Sequence, residues 1–200
     1  DFPEDYADWD NEEQIYIKTA TMGVANDVAN FPLLVRLHGT HDFANWASAS
    51  DGADIRFANA DGDHLSYEIE RWVYDGSGSD TADIWVLLDT VQGNDDTQYF
   101  TMYYGRSGVY SKSDGGAVFD STNGFAAVWH FAPADTFADA TGNGNDGSLY
   151  GTPQPWGVVQ QGAVGQAREF RAGISDFINC GNDLMVPLIH LTEGPPILHI

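Results

Sequence analysis

The sequence predicts an all-β protein: an antiparallel β-sandwich domain of jelly-roll type followed by a partial second sandwich. Three observations predict it. Short apolar runs are separated by clusters of Gly, Asp and Asn, with 22 glycines in 200 residues. Inside those runs, apolar and polar side chains alternate with the period of a strand. No long segment carries helical periodicity, and no short repeat is present.

Residues 1–12 are acidic and read as a flexible end, with Trp9 as an anchor. A first strand follows, where Ile15 and Ile17 alternate with Tyr16 and Lys18. In FPLLVRLH, Phe31, Leu33, Val35 and Leu37 share one face, and Arg36 and His38 share the other. DIRFA at 54–58 and LSYEIERWVY at 65–74 flank Asp61-Gly62, a hairpin-type turn. ADIWVLL at 82–88 reads as a buried strand, and QYFTMYY at 98–104 as a strand with aromatics on both faces.

Residues 105–124 are rich in Gly and Ser, which places a domain boundary there. The sandwich domain therefore spans 13–120 and the partial second one 124–200. FAAVWHF at 125–131 opens that second part, DATGNGNDGSLYG at 139–151 forms a glycine-rich loop, and GAVGQAREF and SDFINCG supply further strands. The last stretch, LMVPLIHLTEGPPILHI, is apolar but broken by Pro187, Pro195 and Pro196, which bar it from a central strand.

Asp and Glu number 30 against 8 Lys and Arg, a net charge of -22. That field repels nucleic acid and anionic lipid. Asp outnumbers Glu, as suits a chain rich in turns. One cysteine, Cys180, permits no internal disulfide and reads as a buried, inert thiol. No apolar run reaches the length of a membrane span, so no insertion is expected. The sequence starts at Asp1 with no leader pattern, which suits a processed secreted protein.

Candidate sites are few. In the loop 139–147, Asp139, Asn143, Asn145 and Asp146 offer oxygen ligands, and the glycines let carbonyls turn inward. Structural calcium is the expected ion; the alternative is a tight loop whose Asx side chains satisfy their own backbone. Trp46, Trp72 and Trp156 are candidate ligand platforms, because a flat indole beside Asp and Asn acceptors suits sugar rings. Trp85 and Trp129 lie inside apolar runs and read as core.

In YEIERW, strict alternation puts Glu68, Glu70 and Trp72 on one face and Arg71 on the other. Two carboxylates beside an indole suggest the acid/base pair of jelly-roll glycosidases, but Trp72 stands where a third acid belongs. His38 and His41 are three residues apart and match no zinc spacing. No phosphate loop and no nucleophile elbow is present.

Residues from about 9 to 120 resemble the bacterial family called domain of unknown function 2341, through FPLLVRL, DGADIRFANADG, LSYEIERW, ADIWVLL, YFTMYYG and SDGGAVFD in that order. Residues 124–181 resemble the start of a laminin-G-like, concanavalin A-like lectin/glucanase module. The resemblance implies a β-sandwich fold and an extracellular, cell-surface or periplasmic location. It also implies that calcium could sit in the glycine loop. The sequence departs from the second family after DFINCG, where further strands are expected and about twenty residues remain.

The expected function is a non-catalytic surface module that binds a glycan or another protein. One alternative is a structural subunit of an extracellular fibre or envelope assembly, built by strand exchange. A second alternative is a jelly-roll glycoside hydrolase or lyase.

Overall fold

The structure, a computed structural model, describes residues 4–38, 43, 46, 48–76, 80–131, 137–150, 160–162, 164–167 and 177–180. Chain contacts divide it into two compact units, Asp1–Val118 and Phe119–Ile200. No helix among the described residues is long and apolar enough to cross a membrane.

The first unit contains β1 (Asn11–Tyr16), β2 (Val28–His38), β3 (Arg56–Ala58), β4 (Tyr67–Val73), β5 (Thr81–Val91) and β6 (Tyr99–Tyr104). Two short helices, α1 (Thr19–Met22) and α2 (Gly115–Val118), complete it. The strands form two three-stranded sheets, ordered β1-β6-β3 and β2-β5-β4, with every pairing antiparallel.

Alternation explains the layering. On β5, Ala82, Ile84 and Val86 are fully buried, while Asp83, Trp85 and Leu87 occupy the opposite face. Phe57 of β3 and Phe100 and Met102 of β6 join them in one hydrophobic cluster with Val35 and Leu37 of β2. Both sheets thus close over a shared core, the all-β sandwich expected from the sequence. β2 is an edge strand, which accommodates Pro32 and its missing N–H.

Two local readings change. The turn at Asp61-Gly62 forms, with Gly62 at φ +89°, but the strands around it part company. Leu65 N–H still bonds Phe57 C=O, after which the chain crosses from the sheet of β3 to that of β4. On β4, the register with β5 shifts between Ile69 and Arg71. This bulge places the extra residue at Glu70 and reverses the parity. Trp72 opposes buried Ala82 on the core side, and Arg71 opposes Asp83 on the outer side, the reverse of strict alternation.

Part of the Asp excess works as buried staples. Asp54 is fully buried, and its carboxylate accepts from Ser48 N–H at 3.1 Å and Gly105 N–H at 2.6 Å. Asp80, equally buried, accepts from Phe43 N–H at 2.9 Å and Asp75 N–H at 3.0 Å. Each ties two loops together with charge-assisted bonds.

The second unit contains β7 (Ser148–Tyr150), β8 (Gln160–Gln161), β9 (Gln166–Ala167) and β10 (Phe177–Asn179). β7 pairs with β10 and β8 with β9, all antiparallel. FAAVWHF, expected as a strand, makes one isolated bridge, Trp129 with Asp139. Trp156 and the proline-broken tail lie outside the described residues.

Candidate functional site

Where β1, β3 and β5 end and β6 begins, the sandwich holds a cleft of about 420 Å³. Its floor is apolar, from Ile17, Leu65, Leu88 and Phe100, with Tyr99 beside it. Its rim is polar: Asn59 and Asp61 come from the turn after β3, Asp89 and Thr90 from the end of β5, and Asp95, Thr97 and Gln98 from the loop into β6. Among the described residues lining it there is no Lys, Arg or His.

Most rim groups are fixed by their own bonds. Gln98 accepts from Gln92 N–H at 3.0 Å and donates to Thr90 C=O at 2.6 Å. Asn59 Oδ1 accepts from the N–H groups of Asp61 and Asp63, an Asx turn that shapes the hairpin. Asp95 Oδ1 accepts from Thr97 N–H at 2.6 Å and Thr97 Oγ1 at 2.7 Å. Those two bonds hold the Asp95 carboxyl below the ordinary Asp range. Thr19, 4% exposed, anchors the loop from behind: its Oγ1 lies 2.7 Å from the Gln92 carbonyl and 2.6 Å from the Asp95 carbonyl, and accepts from Asp95 N–H. Asp61 and Asp89 are exposed, and they bring carboxylates from the two different sheets to one opening. The arrangement can accept hydrogen bonds from a hydroxyl-rich ligand while apolar C–H groups lie on the floor.

The tryptophans named from the sequence lie elsewhere. Trp46 is 6% exposed, stacked on Tyr104 at 4.2 Å and packed against Phe43 and Trp72. Trp72 is half-buried, stacked on Phe43 at 4.2 Å, and donates its indole N–H to Ala49 C=O. Trp46 belongs to the hydrophobic core, and Trp72 packs against it. Trp85, read as core, is instead half-buried on the outer face of its sheet and donates to Glu70 Oε2 at 3.3 Å.

That outer face also carries a charge cluster. Asp83, with 2% of its side chain exposed, meets Arg71 at 3.1 Å and Arg36 and His38 at 3.5 Å each. Glu68 and Glu70 share this face, and neither lines the cleft.

The glycine loop closes on itself. Asp139 Oδ1 accepts from Val128 N–H, Thr141 N–H and Thr141 Oγ1, and its Oδ2 accepts from Asn145 N–H. Asp146 accepts from Asp139 N–H at 2.8 Å. The amides of Asn143 and Asn145 donate to Ala126 C=O. Burial pushes the Asp139 carboxyl up, but the bonds from Thr141, Val128 and Asn145 together outweigh it and hold the carboxyl low. The four residues named for calcium are thus brought together, with N–H donors already aimed at the Asp139 oxygens. Among the described residues no group of three or more His, Cys, Asp or Glu could hold a metal ion. Burial, with Asp139 second, pushes the Cys180 thiol pKa up, away from nucleophilic use.

The fold and cleft define a β-sandwich domain with a concave, acid-rimmed end. Residues 51–132 match the family model described as a domain of unknown function, DUF2341. No curated protein and no solved structure matches the chain.

Proposed function

We propose that the first unit is a non-catalytic binding module of an extracellular, cell-surface or periplasmic protein, and that it takes a glycan in the end cleft. The observation that carries this reading is the cleft itself: apolar lining from Ile17, Leu65, Leu88 and Phe100, with Tyr99 beside it and the exposed Asp61 and Asp89 at the same opening. Sugar rings present C–H faces and hydroxyl edges, which such a floor and rim complement. A protein ligand is the other occupant to be distinguished by experiment.

A hydrolytic reading has less support. A glycosidase needs one carboxyl kept protonated near neutral pH. Asp95, which lines the cleft, is shifted in the opposite direction. Glu68 and Glu70 lie on the outer face of the β2-β5-β4 sheet, beside Trp85 and away from the cleft lining. The second unit is read as the beginning of a laminin-G-like module, on the strength of its short antiparallel strands and glycine loop.

The test is titration of soluble oligosaccharides into the full chain, with and without calcium, alongside the Asp61→Asn/Asp89→Asn variant. Binding that the variant loses supports the proposal. Binding that the variant retains places the ligand elsewhere, and cleavage of the oligosaccharide restores the enzyme reading.

A further inference from the structure

The acidic residues ahead of β1 are seated in a shaped receptor. Glu4 accepts from Arg56 Nε at 2.7 Å, and Arg56 is 1% exposed. The Tyr6 ring stacks on Tyr103 with centroids 4.4 Å apart and planes 12° apart, and its hydroxyl lies 2.8 Å from His64 Nδ1. Trp9 is 7% exposed; its indole N–H donates to Asp54 C=O at 2.7 Å, and the Arg106 guanidinium lies 4.6 Å from its ring. Asp8 pairs with Arg106 at 2.9 Å. β1 then runs antiparallel along β6 from Asn11 opposite Tyr104 to Tyr16 opposite Tyr99.

This has the form of a peptide ligand adding a strand to a sheet edge. Main-chain bonds hold the strand and side-chain pockets set its register. β1 itself gives little to the core, since Ile15 is its one half-buried residue and the rest are exposed. Charge matches as well: Glu4, Asp8 and two of the eight Lys and Arg, Arg56 and Arg106, meet at this receptor. The receptor residues Asp54, Arg56, His64, Tyr103 and Arg106 all lie inside the matched stretch 51–132, whereas residues 4–16 lie outside it. Behind β1, Thr19 is pinned to Gln92 and Asp95, so the hinge falls at Lys18, ahead of that anchor.

We propose that residues 4–16 are an exchangeable segment, and that the β6 edge with its Arg56–Arg106 receptor accepts the same segment from a second copy of this chain. The hinge falls beside Ile17, which also lines the glycan cleft, while Asp61 and Asp89 lie outside the exchanged segment. It puts strand exchange at the beginning of the sandwich rather than in the apolar tail. The intramolecular seat competes at an effective concentration on the order of mM, so exchange needs high local density, as on a crowded surface.

The test mixes two full-length proteins on a Cys180→Ser background, one carrying Gln14→Cys and the other Thr101→Cys. These positions face each other in the β1–β6 register. Only exchange between copies brings the two thiols together. The expected result is a mixed disulfide dimer whose yield falls at least fivefold with excess peptide of residues 4–16. No mixed dimer, or a yield indifferent to the peptide, overturns the proposal. Should Thr101→Cys fail to fold, labelled 4–16 peptide titrated into wild type and Glu4→Gln gives the answer. The peptide is expected to bind Glu4→Gln at least tenfold tighter, and equal or absent binding overturns the proposal.

Discussion

The Trp72 indole lies directly over Gly52. A Cβ at residue 52 would stand 2.5 Å from a ring carbon of Trp72, and Gly52 has φ +65°. Close approach and left-handed backbone both require glycine there. Gly52→Ala is expected to destabilise the first unit by about 2–4 kcal/mol, from overpacking plus backbone strain. Urea denaturation followed by tryptophan fluorescence measures it. A change within 0.5 kcal/mol, as for a surface site, would remove Trp72 from the core.

Glu4 and Arg56 give the second expectation. Arg56 also donates to the carbonyls of Ala53, Ile55 and Tyr110 and lies 3.2 Å from the Tyr67 hydroxyl. Replacing this carboxylate leaves a buried cation whose other partners among the described residues are neutral oxygens. Glu4→Gln should therefore cost about 1–3 kcal/mol, less than removal of the guanidinium itself, because Glu4 is partly solvated. Comparing Glu4→Gln with Arg56→Met by chemical denaturation checks the order.

His64 gives the seat of Tyr6 a pH dependence. Burial lowers the His64 pKa from 6.5; Arg56 and Lys112 add to the shift and Glu4 opposes it. The folded protein thus binds this proton less readily than the unfolded chain. The contribution to stability is complete above about pH 6.5 and is lost as pH falls through the depressed folded value. Protonation also makes both ring nitrogens donors, so Nδ1 cannot then accept from the Tyr6 hydroxyl. Denaturation midpoints between pH 7.5 and pH 5 should fall more steeply in wild type than in His64→Gln. Parallel curves would show that His64 does not titrate with the seat.

Asp139 carries the corresponding expectation for the second unit. Asp139→Asn turns one acceptor oxygen into an NH₂ group facing Asn145 N–H. About 1–3 kcal/mol of loop stability should be lost. Because the folded carboxyl is held low, its contribution is intact above about pH 3.8 and lost as pH falls through the folded value. Hydrogen exchange at Thr141 and Asn145 reads this loop directly. If the loop holds itself without an ion, a chelator leaves that exchange unchanged; slower exchange on adding calcium would support a bound ion there.

The strands were legible because side chains at i and i+2 share a face, and the runs at 31–37, 82–88 and 98–104 obey that rule. The parity of β4 was not, since one extra residue at Glu70 inverts every position after it and leaves no compositional mark. Trp46 sits in a loop by local pattern, yet Tyr104, far along the chain, stacks on it. Such long-range packing leaves no local signal. The cleft was equally hidden: Asp61 follows β3 in one sheet and Asp89 lies near the end of β5 in the other, and only sheet order brings them to one opening. The acidic end at 4–12 reads as loose by composition, because the partners that seat it, Arg56, His64 and Arg106, come much later in the chain.

The most direct measurement is oligosaccharide affinity in the Asp61→Asn/Asp89→Asn protein, with its stability measured alongside. Both side chains are exposed, so the substitutions should leave stability within about 0.5 kcal/mol. The account predicts at least a tenfold loss of affinity in this fully folded variant. Unchanged affinity with unchanged stability would contradict it and move the ligand away from the end of the sandwich.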